Sequence, residues 1–168
     1  LCLPLLFSNK RSRKNWGELI IGFGLLFIGL EFLKDSMPNL DENPEMFTFL
    51  QEYSDMGYAS YILFMLIGTV LTILIQSSSA TMALTLVMCA NGWINFEIAA
   101  SMVLGENIGT TVTANLAATV ANSTAKRAAF AHFLFNVFGV MWVLAIFPLF
   151  LNWIEALSVS MGIGDPST

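Results

Sequence analysis

The chain is predicted to be an all-α integral membrane protein, built of transmembrane helices plus a re-entrant helical hairpin. Three observations lead there. Of 168 residues, 56% are hydrophobic and only 11% charged, and mean hydropathy is +0.71; a soluble domain carries about 25% charged residues. Between Met56 and Lys126 the only charges are Glu97 and Glu106, too few to clothe a water-facing surface. Within that apolar stretch lie two dense polar segments, "QSSSAT" at 76–81 and "GENIGTTVTAN" at 105–115.

Taken in order, residues 1–7 ("LCLPLLF") lack an initiator Met and are too short to span a bilayer. Their basic group follows the apolar run, the reverse of a signal peptide. They read as the end of a truncated transmembrane helix, which makes residues 1–168 one membrane domain that is a fragment of a longer protein. Lys10, Arg11, Arg13 and Lys14 form one short basic loop, and Lys126 and Arg127 another. Positive charge marks the cytoplasmic side. Residues 17–33 then cross outward, and at about 1.5 Å per residue they nearly cover a ~30 Å hydrocarbon layer. Residues 34–57 form an acidic extracytoplasmic loop, since 35–55 hold six acids and no base. Residues 128–147 cross outward again, with Pro148 ending the helix.

Between the acidic loop and Lys126 the chain crosses an odd number of times. Three full spans would leave "NGWINFE" (91–97) near the midplane. Asn-Gly is a turn signal and Trp belongs at an interface. One crossing plus a re-entrant hairpin fits better. Residues 58–90 form that hairpin, with QSSS at its tip, and 98–121 form a broken transmembrane helix interrupted at 105–115.

Polar side chains and irregular backbone at membrane depth survive only when buried in protein or lining a wet cavity. Each interruption is expected to open into a fresh helix, whose free N–H groups attract anions. Hydroxyls and free carbonyls suit small hard cations such as sodium. The candidate substrate ligands are Gln76, Ser77, Ser78, Ser79, Asn107, Thr110 and Thr111. The candidate sodium ligands are Gln76, Ser77, Thr110, Thr111 and Thr113. Plainer uses stand beside these: serines bonding back to the preceding turn, threonines as interhelical glue, and Asn107 as a helix cap. His132 and Asn136, one turn apart, are expected to make a structural hydrogen bond to a neighbouring helix. An anion and sodium bound together at midplane define a secondary transporter. A channel, or a non-transporting sensor or scaffold, are the alternatives.

Other classes are disfavoured. One histidine, no metal-ligand spacing and no nucleophile paired with a base argue against an enzyme. Cys2 and Cys89 lie in apolar runs without redox spacing. The short basic cluster without interleaved aromatics argues against nucleic acid.

Four segments resemble the type II sodium/phosphate cotransporters: "QSSSAT" (76–81), "GENIGTTVTANLA" (105–117), "AHFLFN" (131–136) and "GFGLLFIGL" (22–30). The resemblance covers roughly residues 17–150. It implies two inverted repeats, each with a QSSS hairpin, building one central site. With a single QSSS, this chain resembles the second repeat, one half of an inverted-repeat transporter. The missing first repeat is then an expected partner, in the same full-length chain or a second subunit. The resemblance further implies sodium-coupled uptake of phosphate, or of another small anion, with sodium as the coupling ion and no other cofactor. Substrate-domain movement against a scaffold would drive it, in a multi-pass protein of the bacterial inner (plasma) membrane. Glu106 departs from the small residue more usual in that motif. A carboxylate near an anion site must be protonated, face away or help hold a cation.

Overall fold

Long apolar runs free of internal proline, punctuated by Asn and Gly, fold into helices. The computed structural model describes residues 10–36, 48, 52–54 and 56–162. Its helices are α1 (Arg11–Asp35), α2 (Tyr58–Ile75), α3 (Ser78–Ala90), α4 (Phe96–Ala118), α5 (Ser123–Ala145) and α6 (Phe147–Ser160). The 1–7 segment and most of the 34–57 loop lie outside the described residues.

Two units, residues 1–42 and 43–168, are described separately. The first contains α1, whose 25 residues extend about 37 Å. Arg11, Arg13 and Lys14 belong to this helix rather than to a loop. Lys14 approaches Glu18 one turn on at 3.9 Å, both exposed, a pairing that adds little stability. Phe23, Leu25, Leu26 and Phe27 are all exposed, as befits a helix that meets lipid.

In the second unit α4 is central and packs against α2, α3 and α5. Its contact with α2 runs backbone to backbone. Gly68 of α2 lies on the Met102 carbonyl, Gly105 of α4 on the Met65 carbonyl, and Gly109 against Thr69 and Thr72. Small residues permit such an approach between helices in a membrane. The Thr69 hydroxyl reinforces it, donating to Gly105 O at 3.0 Å. Phe64, Ile94, Ile98, Ala99 and Met102 form the apolar core beside this crossing.

Here the structure corrects the sequence reading: α4 is continuous through 105–115, not broken. The polar side chains fold back on their own helix. Asn107 donates to Val103 O, Thr110 to Glu106 O, Thr111 to Ile108 O and Thr113 to Thr110 O. The two glycines make room for α2 instead of interrupting α4.

Asn91 ends α3, and Gly92 takes φ +72 in the turn that follows. Asn95 caps α4, its Oδ1 accepting from Ile98 N–H at 2.8 Å. Asn122 caps α5 the same way, through Ala125 N–H at 2.9 Å. Lys126 and Arg127 therefore sit near the start of α5, not in a loop. That helix ends at Ala145, two residues short of the expected 147. Pro148 does not end a helix but begins one, α6, at a position where its missing N–H goes unused. Phe147 and Leu151 anchor α6 by burial. Tyr61 meets the Phe147 ring edge-on at 5.0 Å, and the Tyr58 hydroxyl donates to Leu144 O at 2.6 Å.

Among the described residues three helices are long and apolar enough to cross a membrane: α1 (over Arg11–Leu33), α2 and α5. With 23 residues, α4 is as long as α5, and it turns its polar residues Ser101, Glu106 and Thr111 into the protein.

Candidate substrate and ion site

The polar segment at 76–79 forms the break between α2 and α3. Gln76 takes the left-handed conformation (φ 57, ψ 24), and its N–H closes α2 on Thr72 O. It is the sole non-glycine residue with positive φ among those described, a conformation costing a non-glycine residue roughly 1–2 kcal/mol. Ser77 is extended and caps α3, its Oγ accepting from Ala80 N–H at 3.3 Å. Its carbonyl accepts from both the N–H and the hydroxyl of Thr81, each at 3.0 Å. Ser78 and Ser79 occupy the first turn of α3, where backbone N–H groups have no partner within the helix. Gln76, Ser77 and Ser79 are exposed and Ser78 half-buried. The result is a hydroxyl-rich helix N-terminus with its positive dipole end open.

The α4 candidates are disposed differently. Thr111 is buried, Thr110 and Thr113 are half-buried, and Asn107 is exposed. Gly109 lies against Thr72, one turn before Gln76, so the threonine run passes beside the end of α2. Among the described residues no hydrogen bond joins Gln76–Ser79 to Thr110–Thr113. The hydroxyls of these threonines donate to carbonyls of α4 itself, leaving their oxygen lone pairs as acceptors.

Several polar contacts escaped the sequence reading. The Thr85 hydroxyl of α3 donates to Glu106 Oε1 of α4 at 2.8 Å. Thr85 is 0% and Glu106 2% exposed, and Glu106 Oε2 is buried without a hydrogen-bond partner. Thr81 and Thr85, four residues apart on α3, are both fully buried; that spacing was the available signal. Asn115 Nδ2 bridges Thr111 O and Ala129 O, each at 2.9 Å, tying α4 to α5. The expected bond from the His132–Asn136 pair to another helix is not made. Asn136 donates to the His132 carbonyl within α5, and the His132 side chain is exposed.

Apolar helices of bilayer length, with a polar helix break beside a central helix that buries its polar side chains, mark the described residues as a helical membrane domain. The chain belongs to the Na+/Pi-cotransporter family, whose model matches residues 48–164. It is 34% identical over 159 residues to "Uncharacterized protein YqeW" of Bacillus subtilis, covering 93% of this chain and 50% of that protein. It is 31% identical over 154 residues to the "Putative inorganic phosphate export protein YjbB" of Escherichia coli, covering 90% of this chain and 27% of the relative. Over 93 residues it is 42% identical to "Sodium-dependent phosphate transport protein 2C" of Rattus norvegicus, covering 52% of this chain and 16% of the relative. The chain thus spans half or less of the length of these relatives. No solved structure matches it.

Proposed function

We propose that the chain is one repeat of a sodium-coupled phosphate transporter, binding its substrates where α2 gives way to α3. The open N-terminus of α3, capped by Ser77 and preceded by left-handed Gln76, carries this reading. Free N–H groups, serine hydroxyls and a helix dipole together suit a phosphate oxyanion. In this reading Gln76, Ser77, Ser78, Ser79, Asn107, Thr110 and Thr111 contact phosphate. Gln76, Ser77, Thr110, Thr111 and Thr113 supply neutral oxygens to sodium. The relative named for sodium-dependent phosphate transport supports both ligands, and bacterial relatives favour a bacterial inner membrane. A first repeat, in the same full-length chain or a second subunit, would complete the site.

In reconstituted full-length protein, phosphate uptake should rise at least about tenfold under an inward sodium gradient relative to choline. Equal uptake in both would remove sodium coupling. Phosphate-loaded vesicles run the converse test: efflux that ignores sodium would favour export, as one relative's name states.

The proposed topology takes α1 outward, inserts α2 and α3 as a hairpin from outside, returns through α4 and leaves through α5. Asn91→Cys should then react with an impermeant maleimide added outside, and Ser123→Cys only after permeabilisation. Labelling of Asn91→Cys solely after permeabilisation would rule the re-entrant hairpin out.

A further inference from the structure

We infer that Glu106, with Thr85, is the seat of a monovalent cation, set apart from the Gln76–Ser79 break and unassigned by the reading above. This deepens the sodium-coupled reading and rests on it.

Four observations converge. Glu106 is 2% exposed, and only one of its two carboxylate oxygens has a partner, the Thr85 hydroxyl at 2.8 Å. A buried ionised carboxylate in that state is strongly disfavoured unless a positive charge compensates it; without one the group takes up a proton. The protein offers no such charge nearby in sequence: from residue 56 to 125 there is no Lys, Arg or His. For Glu106 to carry its charge, the compensating cation has to come from solution. Its valence follows from the donor set. Calcium ions in protein sites draw on several oxygen ligands, carboxylates prominent among them, whereas Glu106 is the single buried carboxylate among the described residues. Among the described residues no three of His, Cys, Asp and Glu gather. One negative charge with a neutral hydroxyl matches one sodium-like ion.

Position separates this seat from the phosphate site. Thr85 lies seven residues into α3 from Ser78, about 10 Å along the helix axis. That distance keeps Glu106 away from an anion at the helix N-terminus, and a cation there neutralises the carboxylate that would otherwise repel it. The pair also joins α3 to α4, so occupancy would bear on how the hairpin sits against its central helix.

The test is equilibrium binding of radioactive sodium to purified full-length protein in choline buffer without phosphate. Glu106→Gln keeps an acceptor for Thr85 while removing the charge, and should bind one sodium fewer per protein. Thr85→Val should weaken that one site roughly tenfold, and Thr85→Ser should restore it. Sodium should raise the unfolding temperature of wild type more than that of Glu106→Gln. If Glu106→Gln does not fold, the Thr85 pair decides alone. Wild-type stoichiometry and affinity in Glu106→Gln, or in Thr85→Val where that pair decides, would overturn the assignment and make Glu106 a neutral packing residue. Transport by wild type that ignores sodium would instead defeat the coupled reading, whatever the variants bind.

Discussion

Gly105→Ala should destroy most of the folded protein, while Gly22→Ala should leave it intact. A Cβ at residue 105 would fall on the Met65 carbonyl oxygen, 2.7 Å from its carbon and 2.9 Å from Thr69 N. All three are backbone atoms of α2, so no rotamer change relieves the clash and the helices must separate. Overpacking typically costs about 1–3 kcal/mol and sometimes more. Backbone neighbours on this scale place Gly105→Ala at about 3 kcal/mol or above. Separation would also break the Thr69 bond to Gly105 O. At Gly22 nothing lies within 4 Å of the added methyl, and Ala is the better helix former. Monodispersity and thermal unfolding of full-length variants in detergent read the outcome. A Gly105→Ala protein as stable as wild type would mean that α2 and α4 do not touch this way.

Ser78→Ala should weaken apparent phosphate affinity roughly five- to hundredfold, the loss of one polar contact of about 1–3 kcal/mol. Ser78 is half-buried in the first turn of α3 and does not cap it; Ser77 does. The neighbouring serines thus separate binding from architecture. Ser77→Ala removes a cap worth about 1 kcal/mol of stability and should lower thermal stability more than Ser78→Ala does. Uptake at limiting phosphate, alongside unfolding curves of the same preparations, distinguishes them. Normal uptake by Ser78→Ala would move the phosphate site elsewhere.

The membrane class is legible in composition, because 11% charged residues leave no water-facing alternative, and the long apolar runs make it helical. The helix break at Gln76–Ser77 is equally plain, since consecutive hydroxyls amid apolar residues compete with the helix backbone. The second polar segment misleads for a physical reason. Gly, Asn and Thr weaken a helix in isolation, yet glycines four apart also make an ideal surface for another helix. Only Gly68 and Thr72 on the partner decide between the two. Pro148 is ambiguous likewise, since proline stops a helix from within and starts one from its first turn. The Thr85–Glu106 pair is invisible until α3 and α4 are packed together: the Thr81–Thr85 spacing marks one face of α3, but nothing local names a glutamate 21 residues away as the partner.

The glycine contact between α2 and α4 has a mechanical meaning. Helices interlocked through their backbones cannot slide past one another without opening the interface, because at Gly68 and Gly105 no side chain lies between them to rearrange. Helix α3 is joined to α4 by the Thr85–Glu106 bond, so helices α2 to α4 form one packed group. In the proposed transporter, rearrangement would fall to the short non-helical joints that follow this group among the described residues. Those are residues 119–122 between α4 and α5, and Ile146 between α5 and α6.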